Sequence, residues 1–173
     1  VMQLESFIDA PFILFLGDIF MVTNKLHLLV DAFLKNSATV VLSTKIEKDI
    51  DSIRKNFSVL LHESGLLRRV IEKPRHIHCD GKGCGIYLFD LMIFDAIRRT
   101  PRTAMRDEYE ITTAIQKIID DGFPVYDVDV VGWDMNVTFP KDLLYCNKFW
   151  LQHQHCDSII SKTSDIHKNA KIN

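Results

Sequence analysis

Residues 12–18 read Phe-Ile-Leu-Phe-Leu-Gly-Asp. Five consecutive apolar residues make a strand covered on both faces, and Gly17-Asp18 ends it in a turn. In open α/β sheets, ligands sit beyond the carboxyl ends of such strands. Asp18 is therefore a candidate site residue: a carboxylate able to hold a divalent metal, with Gly17 allowing close approach. The plainer reading is a turn aspartate that caps its own backbone.

Working outward, strand and helix patterns alternate. Leu26, Leu29, Val30, Phe33 and Leu34 keep helical spacing, with Thr23 or Asn24 as the expected cap. Ala38 to Ser43 predicts a strand, β-branched at Thr39, Val40 and Val41. Phe57–Leu61 and Leu66–Glu72 predict two strands joined through Glu63-Ser64-Gly65. Gly85–Phe89 predicts another strand and Leu91–Arg98 a short helix. Ile111, Ala114, Ile115, Ile118 and Ile119 form an apolar stripe, closed by Gly122-Phe123-Pro124. Val125–Val131 alternates as a strand, and Pro140 opens a last helix running to about Gln152. The order predicts an α/β domain with a mostly parallel sheet. Beyond it, Ile160, Ile166 and Ile172 recur every six residues, the period of a parallel β-helix with one apolar residue per short side. The expected division is 1–152 for the α/β domain and 153–173 for a linker and first coil. Both ends of the chain look cut, and one coil cannot bury its own face, so more chain is expected to follow.

Composition narrows the function classes. The 173 residues are 47% hydrophobic and 25% charged, which suits a folded domain. The net charge of −2 gives no basic field to hold nucleic acid or anionic lipid. The longest apolar run, Pro11–Leu16, is too short to span a bilayer. Four cysteines do not make a disulfide scaffold, so reduced thiols and a cytoplasmic location are expected.

Other candidate residues each have a bland alternative. Glu72-Lys73-Pro74 ends a strand, where a carboxylate and a cation could grip a hydroxyl and a phosphate. Adjacent strand residues point to opposite faces, so Pro74 would have to turn the chain; otherwise this is a solvated strand end. Trp133-Asp134-Met135-Asn136 follows a strand, and a polar residue there could complete a metal site with Asp18. The alternative is a loop anchored by Trp133. His76, His78, Cys79 and Cys84, like His153, His155 and Cys156, match no zinc spacing. Cys84 has no neighbouring base in sequence, and no G-x-S-x-G, H-E-x-x-H or P-loop pattern occurs.

The order of these segments is more specific than any one of them. Leu16-Gly17-Asp18, Val70-Ile71-Glu72-Lys73-Pro74, Gly85-Ile86-Tyr87-Leu88-Phe89, Asp107-Glu108-Tyr109-Glu110-Ile111-Thr112 and Trp133 with Asn136-Val137-Thr138-Phe139-Pro140-Lys141-Asp142-Leu143-Leu144 follow one another. Together they resemble the sugar-1-phosphate nucleotidyltransferases, from about Phe12 to Leu151. The resemblance implies a Rossmann-like three-layer domain, with the isoleucine hexads starting a left-handed β-helix. It implies that a nucleoside triphosphate and a sugar 1-phosphate give an NDP-sugar and pyrophosphate, with Mg²⁺ on the phosphate oxygens. By position Asp18 is implied as a metal carboxylate, Glu72 as the acceptor of a sugar hydroxyl, and Lys73 as the catalytic cation on the sugar phosphate. Gly85, Tyr87 and Glu110 are implied to line the sugar pocket. A homo-oligomer is implied by a β-helix tail.

The departures from the family pattern are local. The Gly-rich G-x-G-T-R-x-x-P loop that wraps the triphosphate is absent from these residues, so this chain alone is expected to be inactive. Asn136 aligns with the family's second metal aspartate, and a shift of two residues would place Asp134 there instead. Ser58 stands where the family has a glycine that lets the sugar nucleotide approach. A catalytically silent NDP-sugar-binding regulatory subunit and a plain α/β interaction domain are the alternatives to an enzyme.

Overall fold

The computed structural model describes residues 1–77, 79, 81–104, 107–153 and 162–170. These form two compact units, Val1–Asn136 and Val137–Asn173.

The first unit opens with a 3-10 helix, Met2–Phe7, and then builds on one sheet. Its strands are β1 (Phe12–Phe15), β3 (Val40–Ile46), β4 (Phe57–Leu61), β5 (Leu67–Glu72), β6 (Gly81–Phe89) and β7 (Val125–Asp129). β6 is the hub. β3 pairs along one edge of it, while β1 and β4 share the other edge end to end. β7 adds parallel to β3, and β5 adds antiparallel to β4. β6 runs antiparallel to β1, β3 and β4, so four of the six strands share a direction. The sheet is therefore mixed, and the strand shared by most ladders, β6, is one of the two that run backwards.

Alternation along the strands makes three layers. Val40 and Leu42 of β3, with Tyr87 and Phe89 of β6, enter a core containing Ile93, Phe94, Ala114, Ile115 and Ile118. Those partners come from α3 (Met92–Arg98) and α4 (Ile111–Asp120). Val41, Ile86 and Leu88 point the other way, into a core with Leu29 of α1 (His27–Lys35) and Val130. Both faces are covered, which is why the middle strands read as nearly continuous apolar runs.

Several elements differ from the sequence expectation. Neither Thr23 nor Asn24 caps α1; its N-cap is Leu26, without a side-chain bond. Thr23 instead donates its hydroxyl to the Val130 carbonyl. A short helix, α2 (Ile50–Lys55), is capped by Asp49, which accepts from the Asp51 amide. Residues 133–136 are not a loop. They form β8 (Trp133–Asn136), paired antiparallel with β2 (Ile19–Val22) in a separate two-stranded ribbon.

In the second unit Pro140 opens α5 (Pro140–His153), and Asp142 accepts from the Thr138 and Phe139 amides. Residues 162–170 contain turns and no strand. Ile166 is 41% exposed. Ile160 and Ile172 lie outside the described residues, as do His78, His155 and Cys156.

Candidate active site

A cavity of about 220 Å³ opens at the ends of β1 and β5, against the middle of β6. Asp18, Glu72, Lys73, Gly85, Tyr87, Glu110 and Asn136 all line it. Segments more than a hundred residues apart thus converge on one hollow.

The Glu72-Lys73 pair shows how local backbone serves the site. An extended chain would send one of the two side chains away. Lys73 instead has φ +43°, the left-handed region, immediately before Pro74. Its amide donates to the Asn56 carbonyl at 2.8 Å, which fixes the turn. A lysine pays for this conformation in steric strain, and both side chains reach the cavity. Glu72 is held from the other side, where the Thr112 hydroxyl donates to its Oε2 at 3.2 Å.

Gly85 also has a positive φ, +72°, and its carbonyl accepts the Leu16 amide at 2.9 Å. A Cβ there would lie 2.6 Å from Ile19 Cδ1 and 3.3 Å from Leu16 Cβ. The missing side chain lets β1 and the start of β2 close over β6. Tyr87, one turn of the pleat further on, stacks between Phe57 and Phe89 at centroid distances of 5.9 and 5.5 Å. Burial pushes its phenol far up, reinforced by the negative charge of Glu72, so it remains a neutral hydroxyl at physiological pH.

The ribbon settles where Asp134 and Asn136 go. Both lie on one face of β8, since strand side chains repeat every two residues. Asn136 lines the cavity together with Asp18. Asp134 does not: its fully buried carboxylate binds Lys82 Nζ at 2.6 Å and Lys45 Nζ at 2.5 Å.

Ser58 lies away from the cavity. It is buried in β4, opposite Ile71 and Lys82. Phe57, its neighbour, faces the cavity, and the pleat turns Ser58 to the other side. Sequence reasoning missed Lys55, Asn56, Phe57 and Gly83 as lining residues. Lys55 adds a second cation, and nothing in its sequence neighbourhood separates it from an ordinary surface lysine. The signal for Gly83 was its alternation with Gly81 and Gly85. A Cβ at Gly83 would lie 1.9 Å from the Phe57 ring, so the glycine is what lets that ring lie flat on β6.

Chemically, the cavity offers ammonium groups from Lys55 and Lys73, acceptors in Glu72 and Glu110, and hard oxygen donors in Asp18 and Asn136. It suits a small polyhydroxylated anion. Cys84 is a poor nucleophile: burial pushes its thiol up to about 12, and the Asp134 charge adds to it. No described helix is long and apolar enough to cross a membrane.

The family model for "Nucleotidyl transferase" matches residues 1–168. A low-salt glycan biosynthesis nucleotidyltransferase of Haloferax volcanii is 30% identical over 110 residues, 64% of this chain and 29% of that protein. A glucose-1-phosphate thymidylyltransferase of Streptomyces griseus is 33% identical over 109 residues, 61% of this chain and 30% of that protein. The crystal structure of a UDP-glucose pyrophosphorylase complexed with UDP-glucose superposes with TM-score 0.73 at 15% identity, over 88% of this chain and 61% of that one. The matched region thus spans under a third of those two curated relatives and about three fifths of the solved chain.

Proposed function

The chain belongs to the nucleotidyl transferase family, and on that premise we propose that its cavity binds a sugar 1-phosphate as the acceptor in NDP-sugar synthesis. The whole protein would convert a nucleoside triphosphate and a sugar 1-phosphate into an NDP-sugar and pyrophosphate. The observation that carries this is the convergence of two lysines, two acidic acceptors and the Asp18–Asn136 pair on one hollow of about 220 Å³. That volume is below the roughly 300–1,000 Å³ of pockets for drug-sized ligands. It fits a monosaccharide phosphate better than a complete nucleotide sugar. The names of the two curated relatives, both transferases, support a catalytic role over silent binding.

In this reading Lys73 and Lys55 neutralise the sugar phosphate and hold its oxygen towards the α-phosphorus of the triphosphate. One P–O bond forms in line as the bond to pyrophosphate breaks, and positioning with charge neutralisation lowers the barrier. Glu72, kept in place by Thr112, accepts from a sugar hydroxyl, and Glu110 meets another. Tyr87, neutral and buried between Phe57 and Phe89, forms the floor of the pocket, and Gly85 lets β1 and the start of β2 pack close beside it.

Mg²⁺ fits the donor set. Asp18 and Asn136 are hard oxygen donors, and no group of three or more His, Cys, Asp or Glu gathers among the described residues. Mg²⁺ characteristically takes one or two protein oxygens and fills its shell with phosphate and water. Asp18 and Asn136 would hold it, and when bound it would neutralise charge on the phosphate oxygens. We further propose that residues 1–152 are the catalytic part, that the isoleucine hexads start a left-handed β-helix, and that the protein is a cytoplasmic homo-oligomer. The hexad period supports the second of these.

The test is pyrophosphate release by the complete protein from paired triphosphates and sugar 1-phosphates, alongside calorimetric titration of NDP-sugars. Asp18→Ala and Lys73→Ala are each expected to lower turnover by about 100-fold or more, the scale of losing one transition-state contact. Saturable NDP-sugar binding without pyrophosphate release would replace this reading with silent binding; neither would end it.

A further inference from the structure

The β2–β8 ribbon holds both oxygen donors of the cavity at one end. Asp18 immediately precedes β2, and Asn136, the last residue of β8, pairs with Ile19. A two-stranded ribbon has little rigidity of its own. Its strands pair with each other and not with the main sheet. Two hydrogen bonds lie at the far end: the Thr23 hydroxyl to the Val130 carbonyl, and the Gly132 amide to the Val22 carbonyl at 3.1 Å. At the donor end Leu16, two residues before Asp18, gives its amide to the Gly85 carbonyl of β6 at 2.9 Å; along β8 itself the tie is ionic. Asp134, two residues before Asn136, is clamped by Lys82 from β6 and Lys45 from β3. The Lys82 side chain is 2% exposed and that of Asp134 is 0% exposed. Glu47 balances the second ammonium, 3.3 Å from Lys45 and 3.9 Å from Lys82, and Ser52 Oγ lies 3.3 Å from Lys82. Lys82 adjoins Gly83, which forms the cavity wall.

Burying these charges is a poor way to gain stability, because desolvation consumes most of the attraction and apolar side chains of similar size do as well. Fixing one strand at one place against another is what such pairs do that apolar contacts do less sharply. We propose that Asp134, Lys82 and Lys45 are positioning residues, which set the place of Asn136 and Asp18 against the cavity wall. This rests on the proposed function, in which that donor pair holds a divalent ion.

The test separates position from stability. Mn²⁺, a spectroscopic substitute for Mg²⁺, is titrated by the loss of its free EPR signal, with thermal melting in parallel. The variants are Asp18→Ala and the double variant Lys82→Met with Asp134→Leu, which keeps the Lys45–Glu47 pair. The double variant is expected to melt no earlier than the parent, yet to bind Mn²⁺ about tenfold or more weakly, the cost typical of an altered outer shell. Parent-like Mn²⁺ affinity in a folded double variant overturns the proposal. Should that variant not fold, Lys82→Arg decides, since it keeps the charge and moves the head group: weakened Mn²⁺ binding supports the proposal and unchanged binding overturns it. If Asp18→Ala binds Mn²⁺ as the parent does, the donor pair itself is wrong and both readings fall. Weakening in Asp18→Ala alone removes only the positioning role.

Discussion

At Lys73 the chain accepts local strain to place a charge. Its φ of +43° is a conformation that glycine adopts freely and lysine does not. Lys73→Gly is therefore expected to fold at least as stably as the parent, while Lys73→Val loses about 1–2 kcal/mol, since a β-branched residue tolerates that region least. Urea unfolding of the three proteins checks the order, and an unstable glycine variant would contradict it. That Glu72 and Lys73 were candidates was legible from their type and their place before Pro74. That both reach one cavity was not, because it depends on one dihedral angle and on a bond to Asn56. The choice between Asp134 and Asn136 was equally hidden. Both share a strand face, and what separates them is where Lys45 and Lys82 happen to lie, far back in the chain.

Among the elements, those with an unbroken apolar run, a clean period or a proline start were readable: β1, β5, α4 and α5 appear within a residue or two of the expected bounds. The ribbon was not. β2 and β8 are four residues each, and neither alternates cleanly, so periodicity had nothing to count. Yet the ribbon brings Ile19 and Asn136 to the cavity, with Asp18 just before it, and its ionic tie gives it a distinct pH response. Burial pushes Glu47 up, but the Asp49 amide and the Lys45 and Lys82 charges outweigh this and hold it below its ordinary 4.5. Its contribution is thus present above that value and is lost as pH falls through the depressed one. Burial pulls Lys45 down, but bonding and charge from Asp134 and Glu47 outweigh this and hold it above 10.5. That contribution is present below 10.5 and is lost as pH rises through the raised value. Melting followed from pH 3 to 11 is expected to show a plateau from about pH 5 to 10 with a fall on each side. Lys45→Met should make the alkaline fall shallower; an unchanged alkaline limb would exclude this source.

At the scale of the whole first unit, the sheet has an unguarded side. β1 pairs with β6 along one edge, and no described strand lies along its other edge. Phe15, 48% exposed, and Ile13 are apolar side chains on this strand that solvent reaches. The composition of β1 is that of an interior strand, and an edge with this character recruits other strands. The 173-residue chain is expected to self-associate with rising concentration in light scattering, and Phe15→Lys to reduce it. Scattering that is insensitive to that substitution would place the association elsewhere. The hub strand β6 has a different consequence, in the order in which the molecule comes apart. Three strands hang on its two edges. Losing an outer strand leaves the rest of the sheet intact, whereas opening β6 leaves only the β3–β7 and β4–β5 ladders. In hydrogen–deuterium exchange its hydrogen-bonded amides should therefore be the last to be replaced, at the rate of global unfolding, while β5 and the β2–β8 ribbon exchange through smaller openings.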